Sequence, residues 1–385
     1  ATAAESDVTS GTFYLVDANN EIVFTHTISK DEWAEKKNPT QGTNGKTTLQ
    51  VPVKNVTAGT KYSVYFLANT ASESPLTDVF TSNNKFATEY SKANNFAMFN
   101  QNDADVKGNS HTVVFTSDNK DANSAAKVSS TINIERLTAR IDEPKSEASA
   151  IKPYAVDANA SDEEKKANAN AVKAVKSLKL TSYAISNVAN KTNVMQQWAD
   201  ATTLSIPTGI TYFQPTTEFG TKTLLQNYNY FNAVTTEEGK EEHKDYIFEN
   251  NSSDAATSMY FEYTVELSDD YKTNADFEDG TFYRYNKVIY SRIQDIIDAY
   301  KDQKAIFNGQ TKDAVVDELK AAKNDATDPE AKLDEFRKKY DIEVFNAGKT
   351  YYVQKIKDQY LGVANTIERN SIYLLNVKNI FNVGA

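Results

Sequence analysis

Residues 371–385 constrain this chain more than any other stretch. Tyr373, Leu375, Val377, Phe381 and Val383 fall on every second position, and only Asn379 breaks the row. That is the period of a β-strand with one apolar face, roughly 40 Å long from Ile372 to Val383 at about 3.3 Å per residue. The alternate row, Ile372, Leu374, Asn376, Lys378 and Ile380, is apolar at its start and end. An apolar strand with a free edge invites aggregation. The segment is therefore expected to complete a sheet in its own chain or in a neighbour.

The rest of the chain can build such sheets. At 385 residues it is long for one core, so two domains are expected. The apolar fraction of 39% includes 19 Phe and 22 Tyr, enough for packed interiors despite a mean hydropathy of −0.60. The net charge of −11 leaves no basic stripe to displace counterions from phosphate, which argues against nucleic acid. Without cysteine, disulfides, thiol nucleophiles and Cys-ligated metals are excluded. No apolar run is long enough to span a bilayer as a helix. The sequence opens on Ala1-Thr-Ala-Ala-Glu5 without an initiator Met, which is expected of a chain whose leader has been removed.

Strand signals dominate the first 142 residues. Residues 1–10 are small and polar and read as a flexible arm. Thr12–Asp17 and Glu21–Thr25 form an expected hairpin about Asp17–Asn20. Thr48–Val53 carries Pro52 and reads as an edge strand. Lys61–Ala68 suits a sheet centre, Thr112–Thr116 is a further strand, and Thr131–Ile141 changes face near Glu135–Arg136, suggesting a bulge. Short strands at this density describe an antiparallel sandwich.

The polar run from Asp142 to Ala148 marks the expected boundary, giving domains 1–142 and 143–385. In the second, Ser161 and Glu164 form a capping box opening a helix over 161–176, read as a surface helix. Leu178–Ile185, Ser258–Leu267 and Gly348–Val353 read as strands. Ile289, Ile293, Ile296, Ile297 and Tyr300 share one helical face, predicting a helix near 287–306. Asp328-Pro329 caps helical sequence within 311–341.

Catalytic signals are sparse. His26, His111 and His243 lack carboxylates at ligand spacing, apart from Glu241-Glu242-His243, which reads as a solvated charged loop. No nucleophile elbow or phosphate-binding loop occurs. The acidic turn before Gly280 fails the calcium-loop pattern, because Ala275 stands at the first ligand position. Tyr228–Phe231 is an aromatic cluster that reads as packing, with carbohydrate or protein contact as the alternative. No enzyme activity, metal or cofactor is expected.

Three stretches in order, Val56–Asn69, Ile134–Asp142 and Glu368–Ile380, together resemble the Bacteroidia-type (type V) fimbrillins. The resemblance covers the whole chain. It implies a mainly β fold of two transthyretin-like sandwiches, the second with helical insertions. It also implies a lipoprotein precursor anchored to the outer membrane and cut by an arginine-specific protease, here immediately before Ala1. The donor strand of such a subunit maps onto Ile372, Tyr373, Leu374, Leu375, Val377, Ile380, Phe381 and Val383. The implied acceptor groove is lined by Phe13, Leu15, Ile132, Ile134, Leu137 and Ala139. Its partners would be identical or homologous pilin subunits in cell-surface fimbriae, with host proteins or glycans as further partners. The absence of arginine before Arg136 fits exposure to such a protease. The alternatives are an accessory, tip or anchor subunit and a surface carbohydrate-binding lipoprotein.

Overall fold

The hairpin expected near the start of the chain begins a sheet at its edge. In the computed structural model, which describes residues 1–36, 47–102, 111–119, 127–214, 231–303 and 306–385, β1 (Gly11–Val16) pairs with β2 (Ile22–Ile28) and with β3 (Lys61–Ala68), both antiparallel. β4 (Met98–Asn100) follows β3, β5 (Thr112–Val114) pairs with the start of β3, and β6 (Ile134–Arg136) closes the order β2-β1-β3-β4-β6. Tyr14, Val16, Leu67 and Phe99 fill one face of this sheet. The other face carries Phe13, Leu15 and Phe66, with Trp33 of α2 (Lys30–Lys36) stacked on Phe66. Pro52 and its neighbours belong to no sheet among the described residues.

The arm before β1 is ordered. Thr2 and Glu5 cap the short α1 (Ala3–Ser6), Thr9 donates to Asn69, and Glu5 is 4% exposed. A buried carboxylate with partners outweighs the polar composition that suggested flexibility.

The change of face after Ile134 is a change of sheet. Leu137 separates β6 from β7 (Thr138–Asp142), and β7 lies between β10 (Lys244–Phe248), antiparallel, and β16 (Ile372–Tyr373), parallel. β8 (Lys145–Ser146) pairs in parallel with β17 (Asn376–Val377). Facing these strands is an antiparallel sheet of β9 (Val175–Ser186), β11 (Ser258–Leu267) and β15 (Lys349–Lys355), with Asn232–Ala233 at its edge. Val175, Leu178, Leu180, Phe261, Tyr263 and Ile247 form the core between them. α3 (Asp162–Ala174) starts at the expected capping box, leaves one side exposed and buries Ala171 and Ala174 in this core.

A helical module interrupts this unit. β12 (Phe282–Tyr285) pairs with β13 (Val288–Tyr290) and β14 (Glu343–Phe345). α4 (Ile293–Ala299), α5 (Lys312–Lys323) and α6 (Pro329–Tyr340) pack beside it around Tyr283, Ile296, Leu319, Leu333 and Phe336. The isoleucine run is thus half strand: Ile289 sits in β13, and the helix begins only at Ile293. The architecture is mainly β, with several antiparallel sheets and few helices.

Candidate functional site

The apolar segment 371–385 docks on its own chain. Backbone amides of Arg140, Lys145, Glu147 and Lys152 donate to the carbonyls of Ser371, Leu375, Val377 and Ile380 at 2.8–3.0 Å. Tyr373, Ile380 and Val383 are buried in the core of the later unit, with Leu375 and Val377 half-buried beside them. The single long strand read from the period is broken into β16, β17 and a bridge between Ile151 and Ile380. The break at Lys378–Asn379 shifts the buried row, so Ile380 points inward while Phe381 stacks on Tyr154 at 4.9 Å. Ile372 and Leu374 point outward, 47% and 51% exposed.

Beside this segment lies a cleft of about 1170 Å³, lined by the segment itself, by Phe261, Tyr263 and Tyr352, and by residues 353–360. Four of the seven large apolar side chains left exposed among the described residues rim it: Val353, Tyr360, Ile372 and Leu374. Where the segment borders the cleft it forgoes part of the dispersion energy of a close-packed core.

Its root is fixed. Arg369 is fully buried and pairs with Glu249 at 2.9 Å, while also donating to the carbonyls of Val194 and Asn193. The next residue, Asn370, has φ +62°, a left-handed conformation that asparagine tolerates, and the chain turns there into β16. Tyr373 reaches back, accepting from the Glu368 amide and donating to Asp358 at 2.5 Å. Burial first, then Asp358, push its phenol pKa upward.

The second half of the site lies on the first sheet. Two extended segments cover the Phe13 and Leu15 face. In one, Leu49, Val51 and Val53 are half-buried between exposed neighbours; in the other, Val128, Ile132 and Ile134 alternate in the same way. Leu49, Ile132 and Ile134 pack against Phe13 and Phe66, and Val128 against Leu15 and Tyr62. Among the described residues, 47–53 and 127–133 belong to none of the sheets.

Of the expected groove residues, Phe13, Leu15, Ile132 and Ile134 share this face. Leu137 and Ala139 do not. Leu137 packs with Tyr14 and Val16 on the opposite face, and Ala139 with Ile141 in the later unit, because the chain leaves the first sheet at Leu137. Thr48–Val53, expected as an edge strand, turns Leu49, Val51 and Val53 to one side but joins none of the sheets among the described residues.

Glu5 ties the start of the chain to the root of β7. Its carboxylate accepts from the Tyr246 hydroxyl at 2.6 Å, the Thr2 amide at 2.7 Å and Arg140 at 3.0 Å. Burial alone would raise its pKa, but these donors outweigh it and hold the group at about 2. Protonating it on acidification breaks these contacts. The stabilisation is expected to be complete above pH 4.5 and to fade as the pH falls toward about 2. Acid unfolding of wild type and Glu5→Gln, followed by tyrosine fluorescence, checks this: the variant should lose part of the slope in that window.

The remaining candidates have structural uses. Asp276 accepts from the Tyr283 hydroxyl at 3.0 Å and the Ile293 amide at 2.7 Å, and Asp279 pairs with Lys323 at 2.6 Å. His26 lies on β2, 3.6 Å from Glu32, His111 precedes β5, and His243 precedes β10 in an exposed acidic run. Tyr228–Tyr230 lie outside the described residues, and Phe231 packs edge-on against Tyr351. Among the described residues, no three His, Asp or Glu side chains cluster for a metal.

No protein-family model matches the chain, and no curated protein matches it. Solved structures do. A fimbrilin from Porphyromonas gingivalis aligns with a TM-score of 0.44 and 12% identity, over 99% of this chain and 86% of its own. A fimbrial assembly protein from Parabacteroides distasonis aligns at 0.32 and 10% identity, over 70% and 94%. A candidate cell adhesion protein from Parabacteroides distasonis aligns at 0.37 and 12% identity, over 69% and 68%.

Proposed function

We propose that this chain is a structural subunit of cell-surface fimbriae that polymerises head to tail by strand exchange. Segment 371–385 of one copy enters the first sheet of the next, between residues 47–53 and 127–134. In this reading the chain comprises two transthyretin-like units, 1–142 and 143–385. Its precursor is anchored to the outer membrane and processed there, and the partners are identical or homologous subunits, supporting adhesion. No enzyme activity is assigned.

The observation that carries the reading is one of complementarity within the chain. It holds an apolar segment that borders an open cleft, and an apolar sheet face covered by segments that belong to no sheet among the described residues. A donated strand adds backbone pairing and buries alternate side chains, the mode of β-augmentation. Leaving home costs contacts of the kind that docking returns, roughly 1.5–3 kcal/mol per buried large side chain. The exchange is therefore nearly balanced, and the acceptor face supplies the net drive. Because the two surfaces differ, the contact does not close on itself, and a filament results.

The chain has no cysteine, so engineered pairs report without background. Ile132→Cys combined in turn with Tyr373→Cys, Leu375→Cys and Val377→Cys should give a disulfide-linked ladder in at least one combination, since bonding requires Cα atoms within about 7 Å. Filaments without a ladder in any combination would refute the proposed acceptor.

A further inference from the structure

Successive main-chain carbonyls at the end of the docked segment are each held by another part of the chain. Asn168 Nδ2 of α3 donates to the Phe381 carbonyl at 2.7 Å. The Tyr352 hydroxyl of β15 donates to Asn382 at 2.7 Å. Arg284 of β12 takes the next two, Nη1 to Val383 at 2.7 Å and Nη2 to Gly384 at 2.8 Å. Tyr351 and Ala385 then exchange both backbone bonds, at 2.8 and 2.9 Å. Earlier in the segment, only backbone amides of 140–152 hold the carbonyls, and not at every residue.

Arg284 is built for this task. Its guanidinium is bound in bidentate fashion by Glu343 at 2.9 and 2.6 Å and lies 5.3 Å from the Phe345 ring centre, so the fork is oriented before it meets the carbonyls. Both supports stand on β14, which flanks β12 in the helical module. That module is fastened to α3, the helix bearing Asn168, through Lys287 to Glu163 at 2.8 Å and the Ile289 amide to Asn170 at 2.9 Å. Carbonyl donors read backbone and not side chains. Sequence is read at Gly384, where an added Cβ would lie 2.2 Å from the Tyr351 carbonyl oxygen.

We propose that Asn168, Tyr352 and Arg284 form a main-chain clamp on residues 381–384, and that opening this clamp is the step that frees the segment for donation. The binding site so assigned takes an extended peptide with glycine at the position facing Tyr351. It gives the helical module a role, as the mount for Arg284. The second half of the proposal rests on the polymerisation reading above; the first does not.

The test is amide hydrogen exchange at Tyr351 and Ala385 in the full-length monomer, followed by the lag before filaments appear. Arg284→Ala and Gly384→Ala should each speed exchange at both amides at least tenfold, equivalent to about 1.4 kcal/mol. Both should shorten the lag. Gly384→Ala leaves the Arg284–Glu343 pair in place, so agreement between the two separates clamp loss from damage to the module. Arg292→Ala, removing an arginine that pairs only with Asp295 on its own helix turn, should leave both readouts at wild-type values. Unchanged exchange in Arg284→Ala and Gly384→Ala overturns the clamp, whatever the filaments do. Faster exchange with an unchanged lag overturns its role in release. A wild type that never polymerises overturns the fimbrial reading and the release step, while the exchange result still decides the clamp.

Discussion

Arg369→Ala should lower unfolding stability by about 3–5 kcal/mol, the usual cost of removing one partner from a buried ion pair. The side chains of Arg369 and Glu249 are 0% and 2% exposed, so neither charge has water to fall back on. Arg369 also donates to two main-chain carbonyls and to Thr192, and its loss would remove a charged donor from the buried Val194 carbonyl and from Thr192. Urea unfolding of the later unit measures the effect. A double variant, Arg369→Met with Glu249→Leu, should regain part of the loss by removing the orphaned carboxylate. It should stay below wild type because the Val194 carbonyl and Thr192 remain without that donor. A loss below about 1 kcal/mol in Arg369→Ala would place the pair in water, contrary to the burial found here.

Deleting residues 371–385 should abolish filaments and also weaken the unit that holds the segment. Tyr373, Ile380 and Val383 are buried there, and at roughly 1.5–3 kcal/mol each their removal costs about 5 kcal/mol or more. The first sheet shares no strand with this segment and should keep its stability. Two transitions should therefore separate in denaturation, the later unit moving to lower denaturant and the first remaining in place. Electron microscopy reads the other half of the prediction. Filaments of normal length from the truncated chain would remove the donor role from the segment altogether.

Local signals were legible wherever the physics is local. The hairpin about Asp17–Asn20, the β3 run, the capping box at Ser161 and the cap at Asp328-Pro329 all depend on neighbours a few residues apart, and all appear in the structure. The alternation of Leu49, Val51 and Val53 was equally clear, yet it reports only an extended chain with one side inward. Whether an extended chain finds a ladder partner depends on residues far along the sequence. Leu137 shows the same limit. The face change beside it was visible, but a bulge and a passage between two sheets leave the same local trace.

The groove residues divide along that line. Phe13 and Ile132 meet because the segment before β6 packs on the face that β1 presents, while Ala139, seven residues on, serves another core. Arg284 gave no signal, and Arg369 stood out only within the Glu368–Ile380 stretch of the resemblance, with nothing to mark its buried role. Arginine is ordinarily a surface residue, and neither the Glu249 partner nor the carbonyls at 383–384 lie near in sequence.

By itself, the sequence determined that 371–385 would be extended, apolar on alternate positions and in need of a sheet, since side-chain period and β-propensity are carried by the residues themselves. Only the tertiary structure decided that it pairs in parallel with 138–152, borders an open cleft and ends in a clamp. Those outcomes turn on which distant edges and donors the fold brings within hydrogen-bond reach, and no local pattern encodes that distance.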